Sequence, residues 1–155
     1  VISEEAAYVT ISLMKGVTEH GSGARLRHAG LEKENYIYKN VVSGYPYIFE
    51  NPIAGKTGTT QNQSDGWFMG IVPNLVTGVW VGGEDRSIHF KDIAYGQGAT
   101  MALPIWGQFM KEVYLKPELG ISSEDFIEPE ILTIQLDCDK YIQEMPEDDL
   151  DGFGF

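Results

Sequence analysis

Residues 53–82 read IAGKTGTTQNQSDGWFMGIVPNLVTGVWVG, and this stretch decides the fold. Ile53 to Thr60 reads as a strand, with β-branched Ile53, Thr57, Thr59 and Thr60. Gln61 to Ser64 is a polar turn. Gly66 to Val72 alternates around Trp67, Phe68, Met69 and Ile71. Pro73-Asn74 makes a second tight turn, and Leu75 to Val81 is rich in Val and Trp. A parallel return would need a crossover of roughly a dozen residues, so turns this short force neighbouring strands to run antiparallel. The spacing therefore predicts a three-strand antiparallel meander.

Helices are expected before and after the meander along the chain. Residues 3–19 read as a helix capped by Ser3, with Glu4 and Glu5 suited to the positive end of its dipole. Ala7, Ile11 and Met14 follow helical spacing, with Leu13 and Val17 widening the apolar face. Gly16 weakens this helix, and Gly21-Ser22-Gly23 ends it. Residues 101–115 read as a second helix. Pro104 lies in its first turn, Ile105, Trp106, Phe109, Met110 and Val113 face a core, and Lys116-Pro117 ends it. Residues 24–52 are irregular, with Tyr45-Pro46-Tyr47 suggesting an ordered loop. Residues 83–99 read as a charged, Gly-punctuated loop. Ile131 to Leu136 alternates weakly, which predicts one further short strand. The fold class is α+β, an antiparallel sheet with helices packed on one face. Trp67, Trp80 and Trp106 are read as core residues, and Asp65 as a turn-capping carboxylate.

The chain has 155 residues, 43% of them hydrophobic, which suits one domain or part of one. No apolar run reaches the roughly 20 residues that span a bilayer. The chain opens on Val1 and not on Met, which reads as a cut end, with any targeting signal upstream. Cys138 is the single cysteine and cannot form a disulfide within the chain. It sits among acidic residues, where a reactive thiolate is not expected. His20, His28 and His89 are too far apart in sequence to suggest a zinc pair, so no metal or other cofactor is expected.

The formal charge of −12 is unevenly spread. Residues 1–116 hold 10 Lys and Arg against 11 Asp and Glu, whereas residues 117–155 hold 1 Lys against 12 Asp and Glu. An acidic chain is repelled by phosphate backbones, so nucleic acid is excluded as a partner. Residues 117–155 are expected to form a solvated tail or small appendage on a body spanning 1–116.

The chemistry is concentrated in Ala54-Gly55-Lys56-Thr57-Gly58-Thr59-Thr60. A phosphate-binding loop ending in Gly-Lys-Thr needs a further glycine five residues before Gly55. That position is Glu50, a carboxylate that would repel phosphate. A different receptor fits. Thr57 and Thr59 are two apart and share one face of a strand. Two hydroxyls converging with the Lys56 ammonium suit a carboxylate. Gly58 lets a ligand approach the backbone. Free N–H groups along such an edge can stabilise an oxyanion or pair with an extended peptide.

This string resembles the Lys-Thr-Gly motif of the penicillin-binding proteins and serine β-lactamases. Its surroundings resemble, in order, the class A penicillin-binding proteins. The matching segments are the helix holding Leu13-Met14-Lys15-Gly16-Val17 with the Gly21-Ser22-Gly23 turn, the run Thr60 to Gly70, the strand Leu75 to Gly83, and the helix start Gly98 to Trp106. The resemblance covers residues 3–115 and implies the C-terminal portion of a transpeptidase fold. It implies that Lys56 supports proton transfer and substrate charge. Thr57 and Thr59 would hold the terminal carboxylate of a stem peptide or a β-lactam, with Gly58 beside them. The Thr59 N–H would supply half of an oxyanion hole, and Thr60 and Gln61 would border the cleft. It further implies an extracytoplasmic, periplasmic setting, a membrane-anchored parent with an upstream glycosyltransferase domain, and the remainder of the transpeptidase domain as a packing partner.

The family also needs Ser-x-x-Lys, for the nucleophile, and Ser-x-Asn or Tyr-x-Asn. Ser12-Leu13-Met14-Lys15 and Tyr38-Lys39-Asn40 match these formally. Both are read as decoys, because the helix with Ser12 matches a different family helix. The nucleophile is then expected outside this chain, which alone supplies donors but no attacking group. Two alternatives remain open on the residues: part of a carboxypeptidase or β-lactamase of the same superfamily, and a non-catalytic peptide-binding module.

Overall fold

The computed structural model describes residues 2–27, 48–137 and 140. Helix α1 spans Glu4–Glu19, and the Ser3 side chain accepts the Ala6 N–H at its start. Three strands follow: β1 (Ala54–Thr59), β2 (Asp65–Val72) and β3 (Leu75–Gly82). They form one antiparallel sheet in the order β1-β2-β3. Two short helices, α2 (Ile93–Gly96) and α3 (Gly98–Met101), lead into α4 (Leu103–Tyr114). The helices begin earlier than the sequence pattern predicts. Asp92 accepts the Ala94 N–H and caps α2 inside the stretch read as a loop.

Cross-strand register shows which residues share a face. Trp67 pairs with Trp80, and Phe68 with Val79. Side chains alternate along a strand, so Phe68, Gly70 and Val72 point one way and Trp67 and Met69 the other. The Phe68 side is covered. Trp106 of α4 lies edge-on to Phe68, with ring centroids 5.2 Å apart, and its Nε1 donates to Thr77 Oγ1 at 2.6 Å. Gly70 makes room for this indole, since a Cβ there would sit 2.3 Å from it. Leu26, Phe49, Ile53, Leu103 and Met110 complete the core.

On the other side, several of the described residues are exposed. Trp67 and Trp80 are 45% and 47% exposed, which corrects their reading as core residues; only Trp106 of the three is buried. Alternation says which residues lie together but not which side is covered. On the helices, Leu13, Ile105 and Phe109 are exposed as well, so the apolar stripes of α1 and α4 are narrower than expected.

Ile131 to Leu136 forms no strand. Residues 117–137 instead run beside α1 and the β2–β3 turn, held by polar contacts at intervals. Asn74 Nδ2 donates to the Gly120 carbonyl, Lys15 Nζ bonds both Asp125 oxygens at 2.9 Å, and Glu5 accepts from the Thr133 N–H and hydroxyl. Tyr45-Pro46-Tyr47, His28, Cys138 and the end of the acidic segment lie outside the described residues. No helix among the described residues is long and apolar enough to cross a membrane.

Candidate active-site strand

Among the described residues β1 pairs only with β2, so its outer edge is open. The ladder fixes what points there. The Thr60 N–H donates to the Asp65 carbonyl at 3.1 Å. Hydrogen-bonded and non-hydrogen-bonded pairs alternate in an antiparallel ladder, so Gly58 and Lys56 also bond toward β2. The backbone groups of Thr59 and Thr57 are therefore directed outward.

The side chains divide differently. Thr57 pairs with Phe68, and Thr59 with Gly66, so both hydroxyls leave on the covered side. They share a face, as their spacing requires. Each already has a partner: Thr57 Oγ1 lies 2.7 Å from Ser22 Oγ, and Thr59 Oγ1 accepts the Gly98 N–H at 3.0 Å. Accepting that bond leaves the Thr59 hydroxyl proton available to a ligand.

Lys56 pairs with Met69 and leaves on the open side. The expected convergence of ammonium and both hydroxyls on one face is thus corrected, because Lys56 and Thr59 are three residues apart and strand faces alternate. The exposed ammonium bends back to the rim, where Nζ donates to the Thr57 carbonyl at 2.7 Å. Hydroxyls and ammonium flank the edge from opposite sides of the strand.

The bordering turn is tightly built. Asn62 and Gln63 both take positive φ, at 65° and 52°. Such backbone is strained for residues other than glycine, though asparagine tolerates it best. Thr60 Oγ1 accepts the Asp65 N–H at 2.9 Å, and Asp65 Oδ1 accepts from Trp80 Nε1 at 3.2 Å. Asp65 therefore closes this turn. Gln61 is exposed and Thr60 half-buried. The Gln63 carbonyl accepts the Phe90 N–H, tying the loop after β3 to the same corner.

Of the two decoy motifs, Ser12-x-x-Lys15 lies on α1, and its lysine is tied to Asp125. Tyr38-Lys39-Asn40 lies outside the described residues. Ser22 and Gly98 are the contacts that the sequence did not reveal. Ser22 was legible only as part of a helix stop, and nothing local links it to Thr57, 35 residues on. Among the described residues no three His, Cys, Asp or Glu side chains cluster as a metal site.

No family model matches the chain. Known proteins do. It is 32% identical to penicillin-binding protein 1A of Pseudomonas aeruginosa over 111 residues, which is 71% of this chain and 11% of that protein. It is 44% identical to the Aquifex aeolicus penicillin-binding protein 1A over 66 residues, covering 43% of this chain and 9% of that protein. The crystal structure of penicillin-binding protein 1A from Haemophilus influenzae superposes with a TM-score of 0.53 at 24% identity, covering 86% of this chain and 17% of that one. An antiparallel sheet flanked by helices is the architecture shared with that structure. The chain belongs to the penicillin-binding proteins, in the transpeptidase region of their class A members. It spans about a tenth of the length of these curated relatives.

Proposed function

We propose that β1 is the wall of a serine D,D-transpeptidase site that grips the free carboxylate of a peptidoglycan stem peptide, or of a β-lactam. The observation that carries this reading is the open strand edge, with the Thr57 and Thr59 backbone directed outward and their hydroxyls on one side of it. Thr59 and Thr57 donate hydrogen bonds to the carboxylate. The Thr59 N–H faces the oxygen that gains charge when an acyl carbon is attacked, and such preorganised donors are a leading source of rate in acyl transfer. Lys56 adds positive charge at the rim and supports proton transfer. Gly58 keeps the backbone accessible between the two threonines, and Thr60 and Gln61 border the cleft.

In this reading a serine outside these 155 residues attacks the stem peptide's terminal amide, D-alanine leaves, and the amine of a second stem peptide displaces the serine. The whole protein is membrane-anchored on the periplasmic face, with an upstream glycosyltransferase domain. The rest of the transpeptidase domain packs beside the described residues. Residues 1–116 are the transpeptidase portion, and residues 117–155 form its acidic appendage.

A fluorescent penicillin tests this. Incubation followed by denaturing electrophoresis should label the full-length protein covalently, at a serine upstream of this segment, and leave the segment alone unlabelled. Covalent label on Ser12 would overturn the placement of the nucleophile. Failure of the full-length protein to label would overturn acyl transfer itself.

A further inference from the structure

We propose that Ser22 is a third hydroxyl of the carboxylate receptor, a positioning residue acting on the ligand through Thr57; this rests on the reading of β1 given above. The two hydroxyl oxygens are 2.7 Å apart and exposed to solvent, although 35 residues separate them in sequence. The turn that presents Ser22 is built for close approach. The Gly21 N–H donates to the Gly16 carbonyl at 3.1 Å, and the Gly23 N–H to the Val17 carbonyl at 2.9 Å. A Cβ on Gly21 would lie 2.9 Å from both Val17 Cα and its carbonyl oxygen, and one on Gly23 would lie 3.1 Å from that oxygen. Side chains at either position would lift the turn off the end of α1. Glycines on both sides thus hold the one side chain between them at a set height over β1.

Proton counting gives that placement a role. Each hydroxyl has one proton and two acceptor sites. When Ser22 donates to Thr57, the Thr57 proton is turned outward, toward a ligand oxygen. Ser22, Thr57 and a carboxylate then form a chain of bonds running in one direction, and such chains polarise each member. Without Ser22 the Thr57 hydroxyl is free to rotate and loses this orientation. A simple tether between α1 and β1 would affect stability but would be indifferent to the charge of a ligand.

The test is made in the full-length protein. N-acetyl-D-alanyl-D-alanine and its C-terminal carboxamide compete separately against a fluorescent penicillin, and the melting temperature of each variant is recorded. The wild type should favour the acid over the amide. Ser22→Ala should weaken competition by the acid about threefold to tenfold, the range expected for one neutral hydrogen bond, with the amide unchanged. Ser22→Thr should restore the acid. Equal losses for acid and amide, or no loss, would overturn the role of Ser22 and leave the receptor standing. A wild type that does not distinguish acid from amide would overturn the receptor itself.

Discussion

The two faces of the sheet use the same three strands and differ in what covers them. On one, Phe68, Gly70 and Val72 lie under α4, and Trp106 fills the space that glycine leaves. On the other, Trp67, Met69, Val76 and Trp80 remain in contact with solvent. Trp67 and Trp80 still touch, with ring centroids 6.4 Å apart. An aromatic pair on a strand is therefore no sign of a core. Stability is concentrated on the covered face, and substitutions should show it.

The largest contrast is between tryptophans. Trp106→Ala removes a fully buried indole that packs on Phe49 and Phe68 and should cost about 3–5 kcal/mol. Trp80→Ala removes a half-exposed one and should cost about 1 kcal/mol or less, as most surface changes do. Chemical denaturation of the two variants measures both. Equal losses would mean that the open face is as tightly packed as the covered one.

Next come two glycines. Gly70→Ala drives a Cβ into the rigid Trp106 ring and should cost about 1–3 kcal/mol. Gly78→Ala meets the sulfur and terminal methyl of Met69, a flexible and exposed side chain that can swing away. It should be within about 0.5 kcal/mol of the wild type. Denaturation midpoints decide, and a reversed order would break the distinction between the faces.

The smallest effect concerns residues 117–137, which are held by polar bonds and little burial. Hydrogen bonds from Thr133 hold the Glu5 carboxyl below its usual range, and bonding to Lys15 does the same for Asp125. A carboxyl whose pKa is depressed on folding contributes stability above its unfolded pKa and loses it as pH falls through the folded value. The contacts should therefore persist at neutral pH and release below about pH 4. The protection of the Thr133 amide against exchange, corrected for the intrinsic rate at each pH, should be lost in acid before that of β2 amides. Simultaneous loss of protection would mean that this segment unfolds together with the sheet.

Much of the architecture was legible. Tight turns at Gln61–Ser64 and Pro73-Asn74 define the meander, and the strands fall close to the predicted bounds. Ser3 marks the start of α1. The covered face was harder to read, because alternation is symmetric between the two sides. The glycines carry that information: Gly66 and Gly70 sit under Met101 and Trp106 and mark where another layer comes close. In the candidate site, spacing alone places Thr57 and Thr59 together. It also separates Lys56 from them, a consequence of the same alternation that the motif obscures. The bonds from Ser22 and Gly98 were beyond reach, since they depend on tertiary placement across 35 and 39 residues.

Thr59 tests the central claim most directly. The second-order rate of acylation by a penicillin should be measured in the full-length protein for Thr59→Ser and Thr59→Val. Thr59→Ser keeps the hydroxyl and should remain near the wild-type rate. Thr59→Val loses a hydrogen bond to a charged group and should fall about tenfold to a hundredfold; it also leaves the Gly98 N–H without its acceptor, so the melting temperature should fall while the protein stays folded. A Thr59→Val protein that acylates at the wild-type rate would contradict the assignment of this strand as the carboxylate-gripping wall.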